Sequence, residues 1–278
     1  MAFIGITEEL SLYPLLIKMM VQETGTELAL GTGFVYEYED YYYLITNGHN
    51  ITGVNPETNT RLSNHAAFPT VIRTQIRVQV SDNGDSKLST EFRVPIYEDE
   101  DYAQPLWFVH PQHRYRVDVV AIPLCSKEAF PKDGSPLPIN HYKEFTAEPQ
   151  VADDVYILGY PFGITDPDKV PIWKRGSIAS EPNIPYKNLP MMLVDTATRS
   201  GMSGSPVILM RSGVHNAKNG MVTTDTRFGT VLGFVGIYSG RIGAKEENEA
   251  QLGIVWRKEV IEQILSSRTL GTTDFQRV

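Results

Sequence analysis

The chain has 278 residues and a net charge of −8, with Lys and Arg scattered and outnumbered, which argues against a nucleic-acid-binding surface. Its one cysteine, Cys125, excludes an internal disulfide and favours a reducing compartment. With 22 glycines and 18 prolines the sequence calls for many turns, and so for short strands rather than long helices.

At the N-terminus, residues 1–12 carry Glu8 and Glu9 and lack both a basic and a continuous apolar region, so they do not read as a signal peptide. Apolar stretches throughout fall short of the roughly 20 residues a bilayer needs. A soluble, cytoplasmic protein without membrane contact is the expectation. Strands are expected at 31–36 and 41–46, joined as a hairpin through an acidic turn at 37–40. Residues 71–80 alternate polar and apolar and read as one strand, with 91–95 able to pair with it. Residues 117–124 are almost all apolar and read as a buried strand. Loops are expected at 52–69 and 98–112. The Pro-, Lys- and Glu-rich segment 126–150 reads as a connection between two strand-rich halves.

The second half offers strands at 154–158, 171–179, 191–195, 205–210, 229–238 and 251–256, with a surface hairpin loop at 213–226. One helix is expected at 257–266, where Val260, Ile261, Ile264 and Leu265 form an apolar stripe. The residues beyond it read as a tail, mobile from 269. This pattern points to an all-β barrel or sandwich.

Three motifs carry chemistry. Ser200-Gly201-Met202-Ser203-Gly204-Ser205-Pro206 is a loop of small residues, suited to a nucleophilic serine whose neighbouring N–H groups face a developing oxyanion; a tight Gly/Ser turn is the alternative. An esterase elbow would need glycine where Ser205 stands, and a different order of partners. Leu44-Ile45-Thr46-Asn47-Gly48-His49 places a histidine on a corner at a strand end; a surface-loop histidine is the alternative. Val117-Asp118-Val119-Val120 sets a carboxylate in an apolar run, costly unless paired. The partner would be a histidine, or backbone N–H groups at a strand start. Asn50-Ile51-Thr52 spells a glycosylation sequon, read as chance.

The order His, Asp, Ser is the chymotrypsin order. With Gly31-Thr32-Gly33-Phe34-Val35 and Gly159-Tyr160-Pro161-Phe162-Gly163, the motifs resemble the trypsin-like serine peptidases, the disulfide-free bacterial branch above all, over roughly residues 25–266. The resemblance implies a single peptidase domain of two perpendicular six-stranded β-barrels closed by a C-terminal helix. The first barrel would span about 14–125, the connection 126–150, the second barrel 151–256, the helix 257–266 and the tail 267–278. It implies a serine endopeptidase acting on a protein or peptide substrate, without metal or cofactor, with His49, Asp118 and Ser203 as catalytic triad and the N–H groups of Gly201 and Ser203 as oxyanion hole. The primary pocket would be bounded by Ala197, Thr198 and Arg199 with Gly253 opposite. A substrate-lining strand would run through Ser239, Gly240 and Arg241, with Ser239 near Asp118. Without an acidic residue at the base, Lys or Arg before the cut is disfavoured and a small or apolar residue expected; Arg241 or Arg199 facing the cleft would favour an acidic one. In family members activated by proteolysis, a freed amine pairs with an aspartate just before the serine. That position is Met202 here, so the usual switch cannot run. A non-catalytic binding module on the same fold, or a hydrolase of esters, are the competing readings.

Overall fold

The computed structural model describes residues 8–55, 58, 60–62, 67–79, 86–89, 91–130, 134–142, 148–215, 220–241 and 252–274. In chain order the first half contains β1 (Pro14–Val21), β2 (Thr26–Tyr38), β3 (Tyr41–Thr46), the short helix α1 (Gly48–Thr52), β4 (Val71–Thr74), β5 (Arg77–Gln79), β6 (Ser86–Leu88), β7 (Phe92–Pro95), β8 (Phe108–Val109), β9 (Val120–Ser126) and β10 (Ser135–Pro136). The second half contains β11 (Asp154–Gly159), β12 (Ile172–Ile178), β13 (Met191–Asp195), β14 (Pro206–His215), β15 (Arg227–Arg241), β16 (Leu252–Arg257) and the helix α2 (Glu259–Ser267).

The acidic turn does make a hairpin: β2 pairs with β3 from Phe34↔Ile45 to Tyr38↔Tyr41, and Glu39 turns the corner at φ +53°. β1 pairs antiparallel with β2 on the other side and opens with proline, tolerated at a strand's first position. The sheet runs β7-β4-β1-β2-β3-β9-β8. In the second half β11-β12-β13-β16-β15-β14 close into a six-stranded barrel. The protein is therefore mostly β, two curled sheets with a C-terminal helix, as expected.

Several details differ. The first half is not one six-stranded barrel: it has seven strands in one sheet and three, β10-β5-β6, in another. The expected strand 71–80 breaks because the chain changes sheets there. β4 pairs with β1 and β7, whereas β5 pairs with β6 and β10. Ser89 holds the break, its hydroxyl accepting the Ile76 N–H at 3.0 Å and its carbonyl accepting from Gln75 Nε2 at 3.0 Å. The buried strand begins at Val120 rather than 117, leaving Asp118 just ahead of it. β1 is not anticipated from the sequence. The expected strand positions 80 and 251, and the tail beyond 274, lie outside the described residues.

Three apolar clusters form the core. One fills the first half around Ile17, Leu44, Ile72 and Trp107, and one fills the closed barrel around Val155, Val194, Val207 and Val255. The third joins them: Val260, Ile261, Ile264 and Leu265 of α2, all fully buried, pack with Phe34, Val119, Ile208 and Trp256. Each such aliphatic burial contributes about 1.5–3 kcal/mol. Cys125 is half-buried beside the first cluster, and burial pushes its thiol pKa up.

Residues 269–274 are not free. Leu270 bridges Phe108, and the Gly271 N–H donates to the Trp107 carbonyl at 2.9 Å. The Tyr115 hydroxyl accepts from Trp107 Nε1 at 3.1 Å and from the Thr272 N–H at 2.9 Å, and donates to the Thr272 carbonyl at 3.0 Å. A fully buried tryptophan leaves its indole N–H in need of a partner, and this segment fixes that partner. Truncation after Thr269 is expected to destabilise the protein by about 1–3 kcal/mol in urea unfolding and to red-shift tryptophan emission. An unchanged midpoint would show that the segment contributes nothing to the fold.

Candidate active site

β3 ends at Thr46, and α1 follows at once, so His49 sits on the first turn beyond a buried strand. Its Nδ1 lies 2.6 Å from Asp118 Oδ2. Asp118 is 2% exposed, and an unpaired carboxylate there would cost several kcal/mol. Two further donors meet it: the His49 N–H reaches Oδ1 at 2.8 Å, and the Ser239 hydroxyl reaches Oδ2 at 2.5 Å. Both sequence readings of Asp118 hold at once, since it takes a histidine ring and a backbone N–H. With Nδ1–H donating to the carboxylate, Nε2 is left as the free acceptor, the tautomer a general base requires.

Ser203 is half-buried and lines the same cavity as His49, a space of about 430 Å³. Among the described residues neither His49 Nε2 nor Ser203 Oγ makes a hydrogen bond, and neither do the N–H groups of Gly201 and Ser203. The serine loop needs its glycines. Gly201 and Gly204 take φ +93° and +88°, and any side chain would start 2.2 Å from the Tyr160 carbonyl oxygen or 2.0 Å from that of Thr32.

A trypsin-like peptidase domain model matches residues 31–214, about two thirds of the chain. The chain belongs to the trypsin-like peptidase family. No curated protein matches it. Among solved structures, this trypsin-like peptidase is similar to the Rv3671c protease of M. tuberculosis in its active form, with 17% identity, 95% of this chain and 83% of that chain covered, and a TM-score of 0.44. The inactive form of the same protease gives 18%, 92%, 89% and 0.41.

Of the residues expected around the primary pocket of this trypsin-like peptidase, Thr198 and Gly253 meet through Tyr238. Gly253 pairs with both Val194 and Arg241, which brings β13, β15 and β16 together. Between the walls lies Tyr238, 1% exposed: its ring is 2.5 Å from where a side chain at Gly253 would begin, and its hydroxyl meets Thr198 Oγ1. Burial pushes the phenol pKa up to about 12, against the pull of Thr198 and Arg241. Ala197 is half-buried. Arg199 is exposed and folds back, its Nη1 donating to the Thr198 carbonyl at 3.0 Å. Arg241 has Nη1 buried without a partner among the described residues. Gly240 follows a bulge in β15, and Ser239 faces Asp118 rather than the pocket.

Sequence reasoning assigned no role to Thr32 or Asn50. Thr32 Oγ1 donates to the Gly201 carbonyl at 2.8 Å, and its N–H donates to the Ser203 carbonyl at 2.9 Å. Asn50, the sequon residue, is 6% exposed and donates to Thr46 Oγ1 at 2.9 Å and to the Ser203 carbonyl at 3.2 Å, which makes it a bracing residue rather than a glycan acceptor. The signal was present in Gly31-Thr32-Gly33, but nothing local says what Thr32 touches. Met202 is fully buried in the closed-barrel cluster. Thr32→Val keeps the shape and leaves the Gly201 carbonyl without its donor. Labelling of the serine by a fluorophosphonate should slow about tenfold, with the circular dichroism spectrum retained; an unchanged labelling rate would free the loop of this brace.

Proposed function

We propose that this trypsin-like peptidase is a serine endopeptidase that hydrolyses peptide bonds through an acyl-enzyme. The observation that carries the reading is the 2.6 Å contact of His49 Nδ1 with buried Asp118 Oδ2, on the wall of a cavity that also exposes Ser203. Ser203 Oγ attacks the scissile carbonyl carbon and its proton passes to His49 Nε2. The C–N bond then breaks as His49 returns that proton to the leaving amine. Water, deprotonated by His49 in turn, hydrolyses the ester. Asp118 holds the ring's orientation and stabilises the imidazolium. The N–H groups of Gly201 and Ser203 carry no internal hydrogen bond among the described residues, so they are available to the tetrahedral oxyanion.

No carboxylate stands among Ala197, Thr198, Tyr238 and Gly253, which supports the exclusion of Lys and Arg before the cut. Ser203→Ala should abolish both fluorophosphonate labelling and peptide hydrolysis while leaving the unfolding transition in place. Asp118→Asn should lower kcat by about 10⁴. The measurement is turnover of a casein-type protein beside a simple ester. Ester turnover alone would favour an esterase, and near-wild-type activity of Ser203→Ala would sink the assignment.

A further inference from the structure

The cavity that holds His49 and Ser203 is built of more than reactive groups. Met19 of β1, Leu28 and Leu30 of β2, Leu62 and Pro69 supply an apolar wall. Leu28, at the bulge where the register of β2 with β1 shifts, and Leu30 are both half-buried, and with Ala29 between them they line the cavity. Leu30 also abuts Gly163, where a side chain would begin 2.4 Å from Leu30 Cδ1. Next to it Phe162 is 63% exposed, while its N–H is tied to the Ser200 carbonyl at 2.7 Å. Apolar surface thus runs from the reactive serine outward along β2 and the turn at 161–163.

Thr198, Tyr238, Arg241 and Gly253 contribute nothing to this wall. The cavity is therefore separate from that cluster, and Ser203 lines it. His49, Asn50 and Gly53, from α1 and the residue after it, do contribute. A histidine that protonates the leaving amine must have that amine pass beside it, so the segment departing with the amine crosses this cavity.

We propose that the cavity binds an apolar side chain of the substrate immediately after the scissile bond, so that this enzyme selects its cleavage sites by the leaving-group side. The proposal rests on the peptidase reading above. Burying an aliphatic or aromatic side chain against Leu28 and Leu30 favours such substrates over glycine by about tenfold to a hundredfold in kcat/KM.

The test digests a proteome-derived peptide library with the full chain, reads both sides of each cut by mass spectrometry, and then compares matched peptides with Leu, Phe, Gly, Asp or Lys after the cut. Fluorophosphonate labelling of the wild type runs in parallel, because it reads the serine without any leaving peptide. The expected result is labelling together with Leu and Phe preferred over Gly by about tenfold or more. Leu28→Glu and Leu30→Glu should each shift the preference towards Lys at that position, an outcome that misfolding cannot produce. Labelling with a flat profile after the cut, or an apolar preference unchanged in both variants, overturns this proposal alone. Absence of both labelling and cleavage overturns the peptidase reading, and this one with it.

Discussion

Asp118 is a carboxylate at 2% exposure, and a charge placed there is tolerable only if donors are brought to it. Two come from its own half of the chain, the ring and the N–H of His49. The third, the Ser239 hydroxyl, comes from β15 in the closed barrel. Satisfying one buried charge therefore fixes α1 against β15, and with it the cleft between the halves. Asn47 adds to the constraint by donating from Nδ2 to the Asp118 carbonyl at 2.6 Å, so the aspartate is held at its backbone as well as its side chain.

The serine loop is held by the opposite exchange. Its own barrel secures one end, where the Gly204 N–H donates to the Tyr238 carbonyl and the Tyr238 N–H to the Ser205 carbonyl, each at 2.9 Å. The first half secures the rest, through Thr32 and Asn50. A carboxylate at position 202 would lie inside an apolar cluster and need a buried cation, the arrangement on which activation by a freed amine depends. Met202 fills that space with apolar volume instead. Packing and backbone hydrogen bonds thus stand where an ionic latch would otherwise be needed.

What could be read from the sequence was what is local. Alternation and turn residues announce β2, β3, β11 and β14, and the stripe of α2 is apolar at helical spacing. The resemblance of five short motifs named the family, because each motif is itself a tight local structure. Contacts set by distant partners were hidden. β4 and β5 form one alternating run, yet Ser89 divides them between sheets. Residues 269–274 look like a polar end, yet Trp107, Phe108, Val109 and Tyr115 hold them. Tyr238 read as a strand residue, whereas its ring occupies the space beside Gly253. Six strands were expected in the first half; β7 falls where the sequence placed a partner at 91–95, whereas the edge strand β8 is two residues long, below what periodicity can resolve.

β2 carries two loads within five residues. Leu28 and Leu30 face the cavity, and Thr32 braces Gly201 and Ser203. Around Leu30 and Thr32 this strand is paired with β1, and Thr32 ties it to the serine loop, so a site built on it holds its geometry better than one built on loops. A substrate side chain seated on Leu28 and Leu30 would press on the same rigid element that positions the serine. Binding energy gained there is thereby realised at the reacting bond, which is the condition for recognition to raise turnover and not merely affinity.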